Sequence, residues 1–192
     1  MSSRSYCPKC EYPQSVCLCA YVQKQHNRTK VVILQHPSEV KVAKSTVRLL
    51  AMTLNKLDIY VGESAGDFTQ VRELCEANPG QVGVLYPSAH SQPLEGQSTP
   101  RLQALATLVV LDGTWRKANK IWHCNPWLHT LSGWHFAMPP SSHYQRVAKR
   151  PDSLSTLEAV AYGLHTLENL PPEPMLALLH QRQQFLSGQR PD

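Results

Sequence analysis

Four of the six cysteines in this 192-residue chain fall within thirteen positions, as Cys7-x2-Cys10-x6-Cys17-x-Cys19, while Cys75 and Cys124 stand apart. Four thiolates so close together can close a tetrahedral shell around zinc, and a shell with no position left for water is structural rather than catalytic. Such a site folds a peptide too short to bury a core of its own. A secreted disulfide scaffold would spread its bridges along the chain, and Met1 to Tyr6 show no apolar signal-like region. The cluster therefore reads as a structural zinc site in a reducing, cytoplasmic setting, with four unmetallated thiols or a transient redox pair as alternatives. The expected organisation is a zinc module over 1–28 and one α/β domain over 29–192, a length that suits a single compact core.

The remainder alternates strand and helix signals. Val31-Val32-Ile33-Leu34, Asp58-Ile59-Tyr60-Val61, Val82-Gly83-Val84-Leu85-Tyr86 and Thr107-Leu108-Val109-Val110-Leu111 read as strands, and 134–138 as a final one. Pro37 and Glu39 suit the first turn of a helix, and apolar residues at 40, 43, 47, 50, 51 and 54 predict that it runs on to about 54. Further helices are expected over 68–77, 115–122, 155–168 and 173–186, with Ser155 and Glu158 spaced as a capping box. The Ser/Gln/Pro/Gly-rich stretch 88–100 reads as a surface loop. Strands alternating with helices imply an α/β fold with a mainly parallel sheet. No apolar run approaches the roughly 18–20 residues of a membrane span, so no membrane role is expected.

Chemistry is expected where Leu111-Asp112-Gly113-Thr114-Trp115 follows an apolar strand, because open α/β sheets bind ligands beyond their carboxyl strand ends. A carboxylate there is a candidate general base or cation partner, or simply a cap for the next helix. No dinucleotide-binding glycine fingerprint, phosphate-binding P-loop, metalloprotease motif or serine nucleophile elbow occurs. The net charge of +5 fits an anionic partner. Lys41, Lys44 and Arg48 are expected on one stripe of the first long helix; Arg116, Lys117 and Lys120 follow Asp112; Arg146, Lys149 and Arg150 precede the Ser155 helix. Such stripes can neutralise phosphates or be solvated surface. Of the tryptophans, Trp115 alone is assigned to the site.

At Asp112-Gly113-Thr114-Trp115 the chain resembles the DTW-domain family, and other motifs follow in that family's order. The cysteine cluster comes first, then His36-Pro37-x-Glu39 with Thr46 and Arg48, then Leu85-Tyr86-Pro87-Ser88. Leu154-Ser155-Thr156-Leu157-Glu158-Ala159 lies near the end, so the likeness runs from Cys7 to about Leu170. Ser45 departs from it, standing where the family typically carries Asn.

The resemblance implies a SPOUT-like sheet ending in a C-terminal trefoil knot that holds S-adenosylmethionine. It further implies transfer of the donor's 3-amino-3-carboxypropyl group to N3 of a uridine in tRNA, usually in the variable loop. Asp112 would be the catalytic residue, as base or as partner of the donor's charge. Leu85, Tyr86, Pro87, Ser88, Leu111, Gly113, Thr114, Trp115, Leu154, Ser155, Thr156 and Glu158 would bind the donor. The three basic groups would contact tRNA, and no obligate protein partner is implied. A SPOUT-like RNA methyltransferase and a non-catalytic zinc-containing RNA-binding protein are the competing readings.

Overall fold

A computed structural model describes residues 5–142 and 154–188. Chain order gives β1 (Lys30–Gln35), α1 (Val47–Thr53), β2 (Leu57–Val61), α2 (Thr69–Ala77), β3 (Val82–Leu85) and β4 (Gln92–Pro93). There follow α3 (Thr99–Ala104), β5 (Thr107–Asp112), α4 (Trp115–Cys124), β6 (Ser132–His135), α5 (Thr156–Glu168) and α6 (Glu173–Leu186). The strands form one six-stranded sheet in the order β2-β1-β5-β3-β6-β4, and every pairing is parallel.

Residues 107–112 of β5 and 31–35 of β1 are all buried, which explains why these strands read as continuous apolar runs. Alternation sorts their side chains onto two faces. Val31, Ile33, Leu108 and Val110 pack with Leu49 and Leu50 of α1, Leu157 and Leu164 of α5, and Met175 and Leu178 of α6. Val32, Leu34, Val109 and Leu111 pack with Val71 and Cys75 of α2 and with Ala118 and Ile121 of α4. The expected α/β class and its parallel sheet are therefore present. No described helix is long and apolar enough to cross a membrane.

The cysteine-bearing segment does not float free. Tyr12 and Leu18 are buried in the same core as α1 and α6. Two guanidinium groups lie over the Tyr12 ring, with Arg48 Cζ 4.9 Å and Arg182 Cζ 4.3 Å from its centroid. Tyr21 meets Phe185 edge-on at 6.0 Å.

Two sequence expectations are corrected. The long helix predicted through 36–54 is instead a 3-10 turn at Pro37–Glu39, further tight turns, and α1 from Val47. Val42 N–H donates to Glu39 O and Ser45 N–H to Val42 O, three-residue closures rather than an α-helical ladder. Val40 and Val42 are exposed at 40% and 41%, so the early part of the apolar pattern faces no core. Lys41 and Lys44 consequently lie on the turn and not on a helical stripe with Arg48. The stretch 88–100 is more than a surface loop: it contributes edge strand β4, the start of α3 and the fully buried Leu94. The trefoil knot is not visible as such, since 143–153 lies outside the described residues, as do Arg146, Lys149 and Arg150.

Candidate active site

β5 is inserted between β1 and β3, so elements on either side of it converge at its carboxyl end. There the last residue of β5, Asp112, is in register with the last residue of β1, Gln35. Above them opens a cavity of about 510 Å³, within the usual range for small-molecule sites. Leu85, Tyr86 and Pro87 at the end of β3, Leu111 to Trp115, and Leu154 to Thr156 all line it. Segments far apart in sequence, all read as donor-binding, thus meet around one cavity.

Asp112 is buried with only 6% exposure. Its Oδ1 accepts the Thr156 hydroxyl at 2.5 Å and its Oδ2 accepts Gln35 Nε2 at 2.9 Å. Burial pushes the carboxyl above its ordinary range, against the opposing pull of the Thr156 and Gln35 hydrogen bonds. Nearby Glu39 pushes it further up and Lys117 draws it down. Gln35 Nε2 also lies 3.4 Å from Ser45 Oγ, so the serine where Asn is typical still faces the Asp112 network. Beside it, the buried Thr46 hydroxyl accepts Leu157 N–H at 3.2 Å, pinning the first turn of α5.

Gly113 is held close to α4: a Cβ added there would stand 2.9 Å from Lys117 Cβ, too near for any side chain without movement. The backbone thereby turns from β5 directly into α4. Trp115 stands at the cavity wall, 46% exposed. Tyr86, also in the lining, stacks on Trp122 at 4.8 Å and donates its hydroxyl to Asn119 Oδ1 at 3.2 Å, which fixes its position.

Two expected donor-binding residues do not line the cavity. Ser88 N–H donates to Ser91 Oγ at 3.0 Å within its own turn. Glu158 closes the capping box of α5, accepting Ser155 N–H at 2.7 Å, and it takes the Ser142 hydroxyl at 2.9 Å. The sequence reading missed Gln35, Glu39, Ser45, Thr46, His135 and Phe136 as site residues. Of these Glu39 and Thr46 carried a signal as members of the family's motifs, and Ser45 one as the departure from them.

The basic residues occupy distinct settings. Lys41 and Arg116 are exposed, and Lys44 is exposed on the cavity wall. Lys117 pairs with Glu39 at 2.7 Å and Lys120 with Glu63 at 2.7 Å. The Lys120 hydrogen bond, followed by that of His36, holds Glu63 below the usual carboxylate range. Arg48 stacks on Tyr12 and reaches Glu11 O at 3.4 Å.

The four clustered cysteines lie with their sulfurs within 4.8 Å of one another. Cys7–Cys19 and Cys10–Cys17 sulfur pairs are each 3.7 Å apart, far beyond the ~2.05 Å of a disulfide. A tetrahedron with Zn–S bonds of about 2.3 Å has edges of about 3.8 Å, so the donor set fits zinc. Backbone N–H groups of Cys10 and Lys9 draw the Cys7 thiol down to about 6, whereas burial and the neighbouring cysteines push Cys19 up to about 12 and Cys17 is raised as well, so four thiolates together call for a cation among them.

Comparison with known proteins is consistent along the chain. The DTW domain family matches residues 4–187. A Drosophila melanogaster protein named tRNA-uridine aminocarboxypropyltransferase 2 is 33% identical over 174 residues, covering 88% of this chain and 68% of that protein. Proteins of the same name from Macaca fascicularis and Mus musculus are each 30% identical over 170 residues, 86% of this chain. This chain spans only 57% of the length of those two relatives. No solved structure matches it. On a family match that takes in nearly the whole sequence, the chain belongs to the DTW-domain family.

Proposed function

We propose that this protein transfers the 3-amino-3-carboxypropyl group of S-adenosylmethionine to N3 of a uridine in tRNA, releasing 5′-methylthioadenosine. The observation that carries the reading is the buried Asp112 carboxylate, held at both oxygens and facing a cavity of about 510 Å³. The names of the three relatives support the substrate and the group transferred.

When bound, the donor supplies an electrophilic methylene whose bond to sulfur breaks as the bond to N3 forms, sulfur keeping the electron pair. Asp112 takes the N3 proton. A carboxylate of ordinary acidity is a weak base near neutral pH, and burial of Asp112 shifts it toward the basicity the step requires. Thr156 and Gln35 fix the plane of that carboxylate. The remaining lone pairs of its oxygens are left for the proton and for attraction to the sulfonium charge. Leu85, Leu111 and Phe136 give part of the cavity an apolar lining, and the N-terminus of α5 favours an anionic group. Arg116, Lys41 and Lys44 are exposed and offer cations to RNA phosphates.

The reading includes the SPOUT-like trefoil knot implied by the resemblance, a structural zinc held by Cys7, Cys10, Cys17 and Cys19, and a cytoplasmic location. The last is supported by four cysteines clustered at metal-ligand spacing rather than spread as disulfide bridges. No obligate protein partner is needed. Mass spectrometry of nucleosides from tRNA treated with the protein and S-adenosylmethionine tests the reaction. An increment of about 101 Da on uridine is expected, by the chemistry of the donor's arms. An increment of about 14 Da would mean methyl transfer, and RNA affinity without any donor binding would mean a non-catalytic RNA-binding protein.

A further inference from the structure

We propose that Glu39 and Lys117 form a receptor for a zwitterionic amino-acid group, and that this pair selects which arm of the sulfonium donor faces Asp112. The inference rests on the reading above and adds to it the residues that decide the outcome of the reaction.

Glu39 comes from the turn after β1 and Lys117 from the first turn of α4, the elements that leave the adjacent strand ends at Gln35 and Asp112. Lys117 Nζ meets Glu39 Oε1 at 2.7 Å, and Glu39 lines the cavity. Both are near enough to Asp112 to act on its charge. Glu39 uses one oxygen in this pair and Lys117 one of its three donors, the only polar contacts of either side chain among the described residues. Each ion therefore keeps capacity for a ligand. An α-amino acid presents an ammonium and a carboxylate a few ångströms apart, and adjacent opposite charges can take both at once, carboxylate to Lys117 and ammonium to Glu39.

Anchoring of α4 does not account for the pair. That helix is already fixed by buried Ala118 and Ile121 and by Lys120 on Glu63. A pair only 29% and 15% exposed contributes little stability once the desolvation of two charges is counted. With Glu39 on the cavity wall and Lys117 Nζ 2.7 Å from its carboxylate, the pair is preorganised for an external zwitterion instead. Three carbons on the sulfonium are electrophilic, and only the aminocarboxypropyl arm carries charges that this pair can hold. Clasping those charges beside Asp112 brings the sulfur-bound methylene of that arm to the acceptor and leaves the methyl without a handle.

Calorimetry with S-adenosylmethionine, its decarboxylated analogue and 5′-methylthioadenosine tests this on the wild type and on Lys117→Met, Lys117→Arg and Glu39→Gln. The wild type is expected to favour S-adenosylmethionine over 5′-methylthioadenosine. Lys117→Met should lose roughly 10- to 100-fold in affinity for S-adenosylmethionine, the scale of one charged hydrogen bond, and cease to distinguish it from the decarboxylated analogue. Lys117→Arg should restore that distinction. Glu39→Gln should weaken both ammonium-bearing ligands alike, and 5′-methylthioadenosine should bind all variants equally, which also reports an intact fold. Lys117→Met and Glu39→Gln binding like the wild type but melting at lower temperature would overturn the proposal and make the pair an anchor. Loss of 5′-methylthioadenosine binding in either variant would also overturn it, since the pair would then shape the whole cavity. A wild type that binds S-adenosylmethionine and 5′-methylthioadenosine equally would sink this proposal alone. One that binds none of the three would sink the donor reading with it.

Discussion

Replacing Gln35 by Leu tests how Asp112 is tuned. The Gln35 amide donates to Asp112 Oδ2 at 2.9 Å, and both residues are nearly sealed from water, 5% and 6% exposed. A hydrogen bond to an ionised group is worth about 1.5–3 kcal/mol, and about 1.4 kcal/mol corresponds to one pH unit in a titration. The amide stabilises the ionised carboxylate, so its removal raises the Asp112 pKa. The acid limb of the transfer rate should therefore move up by about one to two pH units. Screening by solvent is small at this depth, and Leu fills similar volume. Single-turnover transfer to tRNA, measured across pH at saturating donor, provides the assay. The rate should fall most below neutrality and recover as pH rises. An unmoved acid limb in a folded variant, with Thr156→Val also leaving it in place, would refute the tuning argument.

Other outcomes follow from the same contacts. Asp112→Asn is expected to abolish transfer with little loss of donor affinity, and near-normal turnover would rule out the base role. Burial raises the folded-state pKa of Asp112, so its ionisation opposes folding as pH rises through that value. The Asn variant should therefore gain stability relative to the wild type on the alkaline side and not on the acid side, as thermal unfolding across pH would show. Thr46→Val orphans the Leu157 N–H at the start of α5, at a cost of about 1–3 kcal/mol, seen as a melting point lower by roughly 2–4 °C per kcal/mol. Cys10→Ser should strip zinc, measured by metal analysis, and lower the melting point, because Tyr12 and Leu18 of that segment share the core of α1 and α6. A thiol reagent should modify exposed Cys124 quickly and spare Cys75, whose thiol burial pushes up to about 11.

The central strands were legible because both their faces are covered, which leaves an uninterrupted apolar run in the sequence. The capping box of Ser155 and Glu158 was equally plain, since both partners lie within one turn. The turn over 37–46 was not. Ala43 and Val40 happen to fall in phase with the buried Val47 and Leu50, although only the latter pair meets the core. Periodicity records spacing and not burial. Asp112 stood out as a carboxylate at a strand end, but its partner Gln35 is 77 residues away and reads as an ordinary polar strand terminus. Only sheet register joins them. The pairing of Glu39 with Lys117, 78 residues apart, was hidden in the same way.

The most direct measurement of the central claim uses two preparations of S-adenosylmethionine, one labelled in the methyl group and one in the aminocarboxypropyl arm, each incubated with the protein and tRNA. The account expects arm label on uridine with methyl label recovered in 5′-methylthioadenosine. Methyl label on the tRNA, with the arm retained in S-adenosylhomocysteine, would contradict it.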